Sequence, residues 1–235
     1  MNHLREQLDI VDIHIDDKRL QQFLTFYELL IEKNKVMNLT GITDKEEVIL
    51  KHFVDSVLLM KEHCFENIFS CMDVGTGAGF PGIPLAIMNP DIQFVLLDSL
   101  NKRIRFILEV KDALGLTNLE AYHGRAEDFG RMPEYREQFD ICVSRAVANL
   151  SSLSEFCIPF VKPSGYFVSY KSQGVEEEMD AAKNAVSLLG GNYEEVVSFS
   201  LPGTDISRSF VVVQKIKNTP EKYPRGGGKV LKKPL

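Results

Sequence analysis

Nowhere in the 235 residues is there a run of about 20 uncharged apolar residues, the length a membrane-crossing helix needs. The most apolar stretch, 69–90, is interrupted by Asp73, four glycines and three prolines. The opening residues, Met1-Asn2-His3-Leu4-Arg5-Glu6, lack the apolar centre and small-residue cleavage site of a signal peptide, so none is expected. Cysteine is scarce. Cys64, Cys71, Cys142 and Cys157 include no C-x-x-C pair, so a zinc ribbon is not expected and no metal is assigned. They read as buried, reduced thiols in a cytoplasmic setting. Positive charge is in the minority, 27 Lys and Arg against 33 Asp and Glu, for a net charge of −6. Its distribution is uneven, because 215–235 carries seven basic residues against Glu221 alone. Such a tail suits contact with a polyanion, and equally suits a solvated, solubilising end.

What is present is ordinary globular material: 44% apolar, 26% charged, with 16 Gly and 10 Pro. That composition excludes disorder and collagen-like repeats. A chain of this length buries roughly 70% of its unfolded surface, enough for a core without staples. The first 65 residues read as helical. Asp16-Asp17 caps a helix to about residue 33, with Leu20, Phe23, Leu24, Tyr27, Leu30 and Ile31 at helical spacing. Asn38-Leu39-Thr40-Gly41 breaks it. Asp44, three residues before Glu47, opens a second helix through about residue 62.

From about residue 67 short apolar runs alternate with helical ones. Expected strands are 70–74, 94–98, 119–122, 139–144 and 165–170. This alternation argues for a parallel sheet with helices on both faces. The last two β-rich runs, 193–199 and 209–215, are separated by only a short loop and should pair antiparallel. Five parallel strands and a terminal hairpin give an α/β fold: the seven-stranded, Rossmann-like sheet of class I methyltransferases, with an N-terminal helical extension. Expected divisions are 1–65 for the extension, 66–216 for the core domain and 217–235 for a basic tail.

Asp73-Val74-Gly75-Thr76-Gly77-Ala78-Gly79-Phe80-Pro81-Gly82 follows the first strand and opens a helix. Missing side chains let a ligand lie against backbone, and a helix start offers free N–H groups. The frame Gly77-x-Gly79-x-x-Gly82 satisfies the dinucleotide pattern. Asp73, ahead of the first glycine, suits a zwitterionic, cationic ligand better than a pyrophosphate. Asp98, at the end of the second strand, can accept two ribose hydroxyls. Ala126-Glu127-Asp128 follows the third strand, where an adenine could sit, and Ser144-Arg145-Ala146 ends the fourth. Ligands bind at this carboxyl edge in open α/β sheets.

The run from Asp73 through Gly82 into Ile83-Pro84-Leu85-Ala86, with Leu97-Asp98-Ser99-Leu100-Asn101-Lys102-Arg103 and Val143-Ser144-Arg145-Ala146, resembles the RsmG (GidB) family. These are bacterial small-subunit ribosomal RNA methyltransferases that modify a guanine at N7. Asn38-Leu39-Thr40-Gly41, His52-Phe53-Val54-Asp55-Ser56, Lys222-Tyr223-Pro224-Arg225 and Lys232-Lys233-Pro234-Leu235 extend the resemblance along most of the chain. It implies S-adenosylmethionine as cofactor, small-subunit (16S) ribosomal RNA as partner, free or within the 30S particle, and a cytoplasmic location. Carried over by position, cofactor contacts fall on Gly75, Phe80, Ala126, Glu127 and Arg145; the fold argument adds Gly77, Gly79 and Asp98. The tail departs from the family pattern at Gly226 and Val230, where a basic residue and a proline are usual.

Guanine N7 bears an exposed lone pair and no proton at neutral pH, so no catalytic acid or base is assigned. Arg145 is expected at the pocket edge. His52, Asp55 and Ser56 share a helix face and point in parallel, which suits a polar seam better than a hydrolase relay. Expected RNA contacts are Lys102, Arg103 and Arg105 near the sheet edge, Lys171 after the fifth strand, Arg208 in the hairpin loop, and Arg225, Lys232 and Lys233 in the tail. The tail is expected to act on RNA and to leave cofactor binding alone. Two alternatives remain open: a dinucleotide-dependent oxidoreductase, and a non-catalytic RNA-binding protein.

Overall fold

In the computed structural model, residues 2–145, 148–172 and 174–235 are described. Ala146 of the Ser144-Arg145-Ala146 segment lies outside them. The strands are β1 (Ser70–Val74), β2 (Gln93–Asp98), β3 (Leu119–His123), β4 (Phe139–Arg145), β5 (Val161–Lys171), β6 (Gly191–Ser200) and β7 (Ser207–Lys215). They form one seven-stranded sheet in the order β3-β2-β1-β4-β5-β7-β6. Strands β1 to β5 are parallel; β7 runs antiparallel between β5 and the edge strand β6. This is the expected class I methyltransferase layout. The order reverses between β1 and β4, which opens a crevice at their carboxyl ends.

Side chains alternate across each strand, and both faces are covered. In β7, Phe210 and Val212 enter one core while Val211 and Val213 enter the other. Strand β5 begins four residues earlier than the sequence suggests, at Val161, despite Pro163. Its pairing with β4 is irregular there, and a Cβ on Gly165 would sit 2.4 Å from the Asp140 carbonyl oxygen. The strand therefore passes the proline through a bulge.

The first core includes the N-terminal helices. Helix α1 (Asn2–Ile10) buries Leu4 and Leu8. Helix α2 (Asp17–Met37) starts where expected, with Asp16 Oδ1 accepting from the Arg19 amide at 2.7 Å. It runs past the expected stop, because Asn38 adopts a left-handed conformation (φ 50°) and caps it. Its buried residues are Phe23, Phe26 and Leu30, so Phe26, absent from the expected apolar positions, joins the stripe, and Tyr27, which was among them, is only half-buried. The second expected helix is broken into pieces: α3 (Lys45–Val48), a wider π-helical turn (Ile49–Val54), α4 (Asp55–Val57), then short 3₁₀ turns. Asp44 caps its start through the Glu47 amide.

The remaining helices are α5 (Gly82–Met88), α6 (Asn101–Leu114), α7 (Ala126–Phe129), α8 (Leu150–Cys157), α9 (Glu176–Leu188) and α10 (Lys229–Lys232). Helices α8, α9 and α10 cover the second face. All four cysteines are free and buried.

The basic tail is folded onto the protein. Tyr223 and Val230 are buried in the second core. Arg136 donates to the carbonyls of Thr219 and Tyr223 at 2.6 and 2.8 Å. Lys215, buried, donates to the Ile158 and Val161 carbonyls and to Thr219 Oγ1. Burial lowers its pKa to about 8. Arg225 was expected on RNA; its backbone N–H, Nε and Nη2 instead bond to Glu155, which has no exposed surface.

Removing one member of a buried ion pair strands the other charge, at about 3–5 kcal/mol. Arg225→Ala should therefore lower the urea midpoint clearly, and the Arg225→Met/Glu155→Leu double variant should recover much of the loss. Equal midpoints for Arg225→Ala and the parent chain would show that the pair does not hold the tail.

Candidate functional site

The loop after β1 is tied to β2. Gly75 and Thr76 donate to the Leu97 carbonyl at 2.8 and 3.2 Å. The Asp98 carboxylate accepts from the amides of Gly77 and Leu100, both at 2.9 Å, and from Arg103 Nη1 at 3.2 Å. Asp98 thus shapes the loop as well as facing the rim. Gly77 has φ 63° and a Cβ there would stand in open space, so backbone is left bare toward the crevice. The other two glycines work inward. A Cβ on Gly79 would strike Ile83 at 2.3 Å, and one on Gly82 would lie 2.7 Å from Asp73 Oδ2.

Asp73 is fully buried and does not face the crevice as its charge had suggested. Its Oδ2 accepts from the Gly82 amide at 2.8 Å, at the start of α5; among the described residues no group meets the strict geometry of a hydrogen bond to Oδ1, although the Thr76 hydroxyl lies nearby. Burial raises its pKa to about 7, against the pull of the Thr76 hydroxyl and then of that amide.

Two cavities open along the rim and share Gly75. The smaller, about 130 Å³, is lined by Val74, Leu97, Asp98, Ala126, Glu127 and Phe156, among others. The larger, about 550 Å³, lies between the glycine loop and the N-terminal segments, which supply Leu39, Thr40, Ile42, Lys51, His52 and Asp55. Five basic side chains face it: Lys51, Arg103, Arg145, Lys171 and Arg208. Each has a carboxylate partner: Glu47 at 2.6 Å, Asp98 at 3.2 Å, Asp55 at 3.0 Å, Glu178 at 2.7 Å and Asp55 at 3.2 Å, respectively. Asp55 is the one carboxylate lining this cavity among the described residues. Burial pushes its carboxyl above the usual range, opposed by Arg145 and Arg208.

Phe80 stacks on His52 with ring centroids 4.6 Å apart, and the Arg145 guanidinium lies 5.1 Å from its centroid. His52 Nε2 is 2.9 Å from Thr40 Oγ1. Burial, then the Arg145 charge, lowers the His52 pKa to about 4, so the ring is neutral at pH 7. Ser56 does not join this cluster; its hydroxyl bonds to the His52 carbonyl at 2.5 Å. His52 and Asp55 therefore meet at Arg145, as a polar seam between the extension and the sheet.

Of the expected cofactor residues, Gly75, Gly77, Phe80 and Arg145 line the larger cavity; Gly75, Asp98, Ala126 and Glu127 line the smaller; Gly79 lines neither. Of the expected RNA residues, Arg103, Lys171 and Arg208 line the larger cavity, and Arg208 belongs to β7 instead of a loop. Lys102, Arg105, Lys232 and Lys233 are exposed. Residues not assigned from the sequence include Leu39, Thr40, Ile42, Lys51 and Tyr170 at the larger cavity and Phe156 and Leu231 at the smaller. The first two sit in the Asn38-Leu39-Thr40-Gly41 segment already noted.

The family model for GidB, rRNA small subunit methyltransferase G, matches residues 19–211. A ribosomal RNA small subunit methyltransferase G from Lachnoclostridium phytofermentans is 53% identical over 221 residues, 94% of this chain and 91% of the relative. One from Clostridium novyi is 48% identical over 225 residues, covering 96% and 93%. Among solved structures, a putative O-methyltransferase from Klebsiella pneumoniae aligns with a TM-score of 0.57 at 12% identity, over 91% of this chain and 96% of that one. The [4+2]-cyclase SpnF aligns at 0.58 and 12% identity, over 83% and 94%. At such identities the likeness shows the fold alone, and the cyclase illustrates that this fold hosts other chemistry.

The depressed His52 pKa carries a pH signature. The unfolded chain takes up the proton near pH 6.5, the folded one only near 4, so stability present above 6.5 is lost as pH falls toward 4. His52→Asn should lack that component. Urea unfolding at pH 7 and pH 5 should show a smaller drop for the variant; identical drops would mean that His52 is not held neutral.

Proposed function

Because the chain belongs to the GidB family, rRNA small subunit methyltransferase G, we propose that it transfers the methyl group of S-adenosylmethionine to N7 of a guanine in small-subunit (16S) ribosomal RNA. The observation that carries this reading is the pair of cavities meeting at Gly75. The smaller suits a nucleoside: apolar walls from Val74, Leu97 and Ala126, with Asp98 and Glu127 as acceptors for ribose and base. The larger suits a nucleotide of a polyanion, because five basic side chains line it in a protein of net charge −6. Bare backbone at Gly77 leaves room for the part of the donor that joins the two.

The donor supplies an electrophilic methyl on a sulfonium sulfur. The nitrogen it meets has a free lone pair, so the protein's task is to align and hold, not to move a proton. The larger cavity suits that task. His52 is neutral, and Asp55 is engaged by two arginines. Pairing also tempers Arg145: with Asp55 at 3.0 Å its charge does less to oppose the cation that N7 methylation creates. Specificity for one guanine then rests on RNA shape and on a base turned out of its stack. Phosphate contacts are assigned to Arg103, Lys171 and Arg208 at the cavity, and to the exposed Lys102, Arg105, Lys232 and Lys233 around it. The substrate is small-subunit ribosomal RNA, free or within the 30S particle, which implies a cytoplasmic location. No helix among the described residues is long and apolar enough to cross a membrane.

The dinucleotide reading fares worse for two reasons. The sheet carries an antiparallel β7 beside β5, unlike the all-parallel dinucleotide order. The start of α5, where a pyrophosphate would sit, is already met by the Asp73 carboxylate.

Incubating the protein with methyl-labelled S-adenosylmethionine and small-subunit particles from cells lacking it should label one guanine, at N7. Absence of label would favour a non-catalytic RNA-binding protein, and label on another base or atom would overturn the assignment.

A further inference from the structure

The C-terminal segment was expected to serve RNA alone, yet it forms part of the smaller cavity. Leu231, in α10, lines that cavity together with Phe156 of α8. It is 58% exposed, an apolar side chain among Lys229, Lys232 and Lys233. The segment holding it is fastened on both sides. Val230 is fully buried, and its carbonyl accepts from Ser152 Oγ at 3.3 Å. Arg225, itself bonded to Glu155, donates through Nη2 to the Lys233 carbonyl at 2.9 Å. Ser151 Oγ donates to Leu235 at 2.7 Å. A leucine so placed is not a loose tail residue; it is an apolar wall whose far side is solvent.

We infer that Leu231 is a donor-binding residue, closing the open side of the smaller cavity over the nucleoside end of S-adenosylmethionine. The inference rests on the methyl-donor reading above. A purine offers flat apolar faces and a polar edge. The cavity offers the complement: Val74, Leu97, Ala126 and Phe156 as apolar walls, and Asp98, Ser99 and Glu127 as polar rim. Leu231 gains burial only when that space is filled, so its surface contributes to donor affinity and little to folding. The lysines beside it face outward, so RNA held by Lys232 and Lys233 would press on the same short helix that covers the donor.

Calorimetric titration of the full chain with S-adenosylmethionine, and with methylthioadenosine, which keeps the nucleoside but lacks the amino-acid end, tests this. Leu231→Ala should weaken both ligands roughly tenfold, the value of burying most of a leucine side chain. Leu231→Met should restore affinity to within about twofold, since its volume and polarity are similar. The unfolding midpoint without ligand should not move in either variant. Unchanged donor affinity in Leu231→Ala overturns the inference, most plainly if only the KM for RNA rises, which would make the leucine an RNA contact. If the parent chain binds neither ligand, the donor reading itself fails, a result distinct from a failure of Leu231 alone.

Discussion

One buried carboxylate holds the larger cavity together. Asp55 comes from the broken helical segment before the sheet, and it meets Arg145 at the end of β4 and Arg208 near the start of β7. Three distant parts of the chain therefore converge on two oxygen atoms. A carboxylate this deep is costly to bury alone, and so are two guanidinium groups facing one pocket; together their opposite charges offset one another. The π-helical turn just before Asp55 belongs to the same arrangement. It adds a residue to the helix where His52 stacks on Phe80 and Phe53 packs on Phe26. The helical extension is in this sense a wall of the site as well as a cover for the sheet.

Charge is organised on two scales. Overall the protein is acidic, which disfavours indiscriminate attachment to RNA. Locally the crevice is basic, and every basic side chain there is steadied by a carboxylate. Paired arginines keep their position without needing a ligand, and they retain outward N–H groups for phosphate. The tail follows the same economy. Lys215, at the end of β7, and Arg225 in the tail itself are engaged in fastening it, while Lys232 and Lys233 stay exposed beside the smaller cavity. The tail thus borders both the smaller cavity and the solvent side of the rim.

Much of the fold was legible because parallel strands buried on both faces write themselves as short apolar runs, and the glycine loop marks the first crossover. Strand β5 was read short because Pro163 hides a bulge. Helix α2 was read short because Asn38, unlike glycine, is an ambiguous cap. The π turn left no trace, since Ile49–Val54 fits an α-helical pattern equally well. At the site, the residues facing the crevice were found where loop chemistry is local: Gly75, Gly77, Asp98, Ala126 and Glu127. Partnerships between remote residues were not found. Nothing near Arg225 or Arg208 in sequence announces Glu155 or Asp55, and composition alone cannot tell a fastening arginine from a phosphate-binding one. Gly79 and Asp73 are motif members that also serve packing: a Cβ on Gly79 would strike Ile83, and the Asp73 carboxylate meets the Gly82 amide.

The central claim is that one ligand bridges the two cavities across Gly75. The structure of the protein with S-adenosylhomocysteine bound would test it most directly. The account predicts the adenosine in the smaller cavity between Ala126, Glu127 and Leu231, the sulfur passing Gly75, and the amino-acid end beside Gly77 in the larger cavity. A ligand held elsewhere, or a rim too narrow at Gly75 to let it pass, would contradict it.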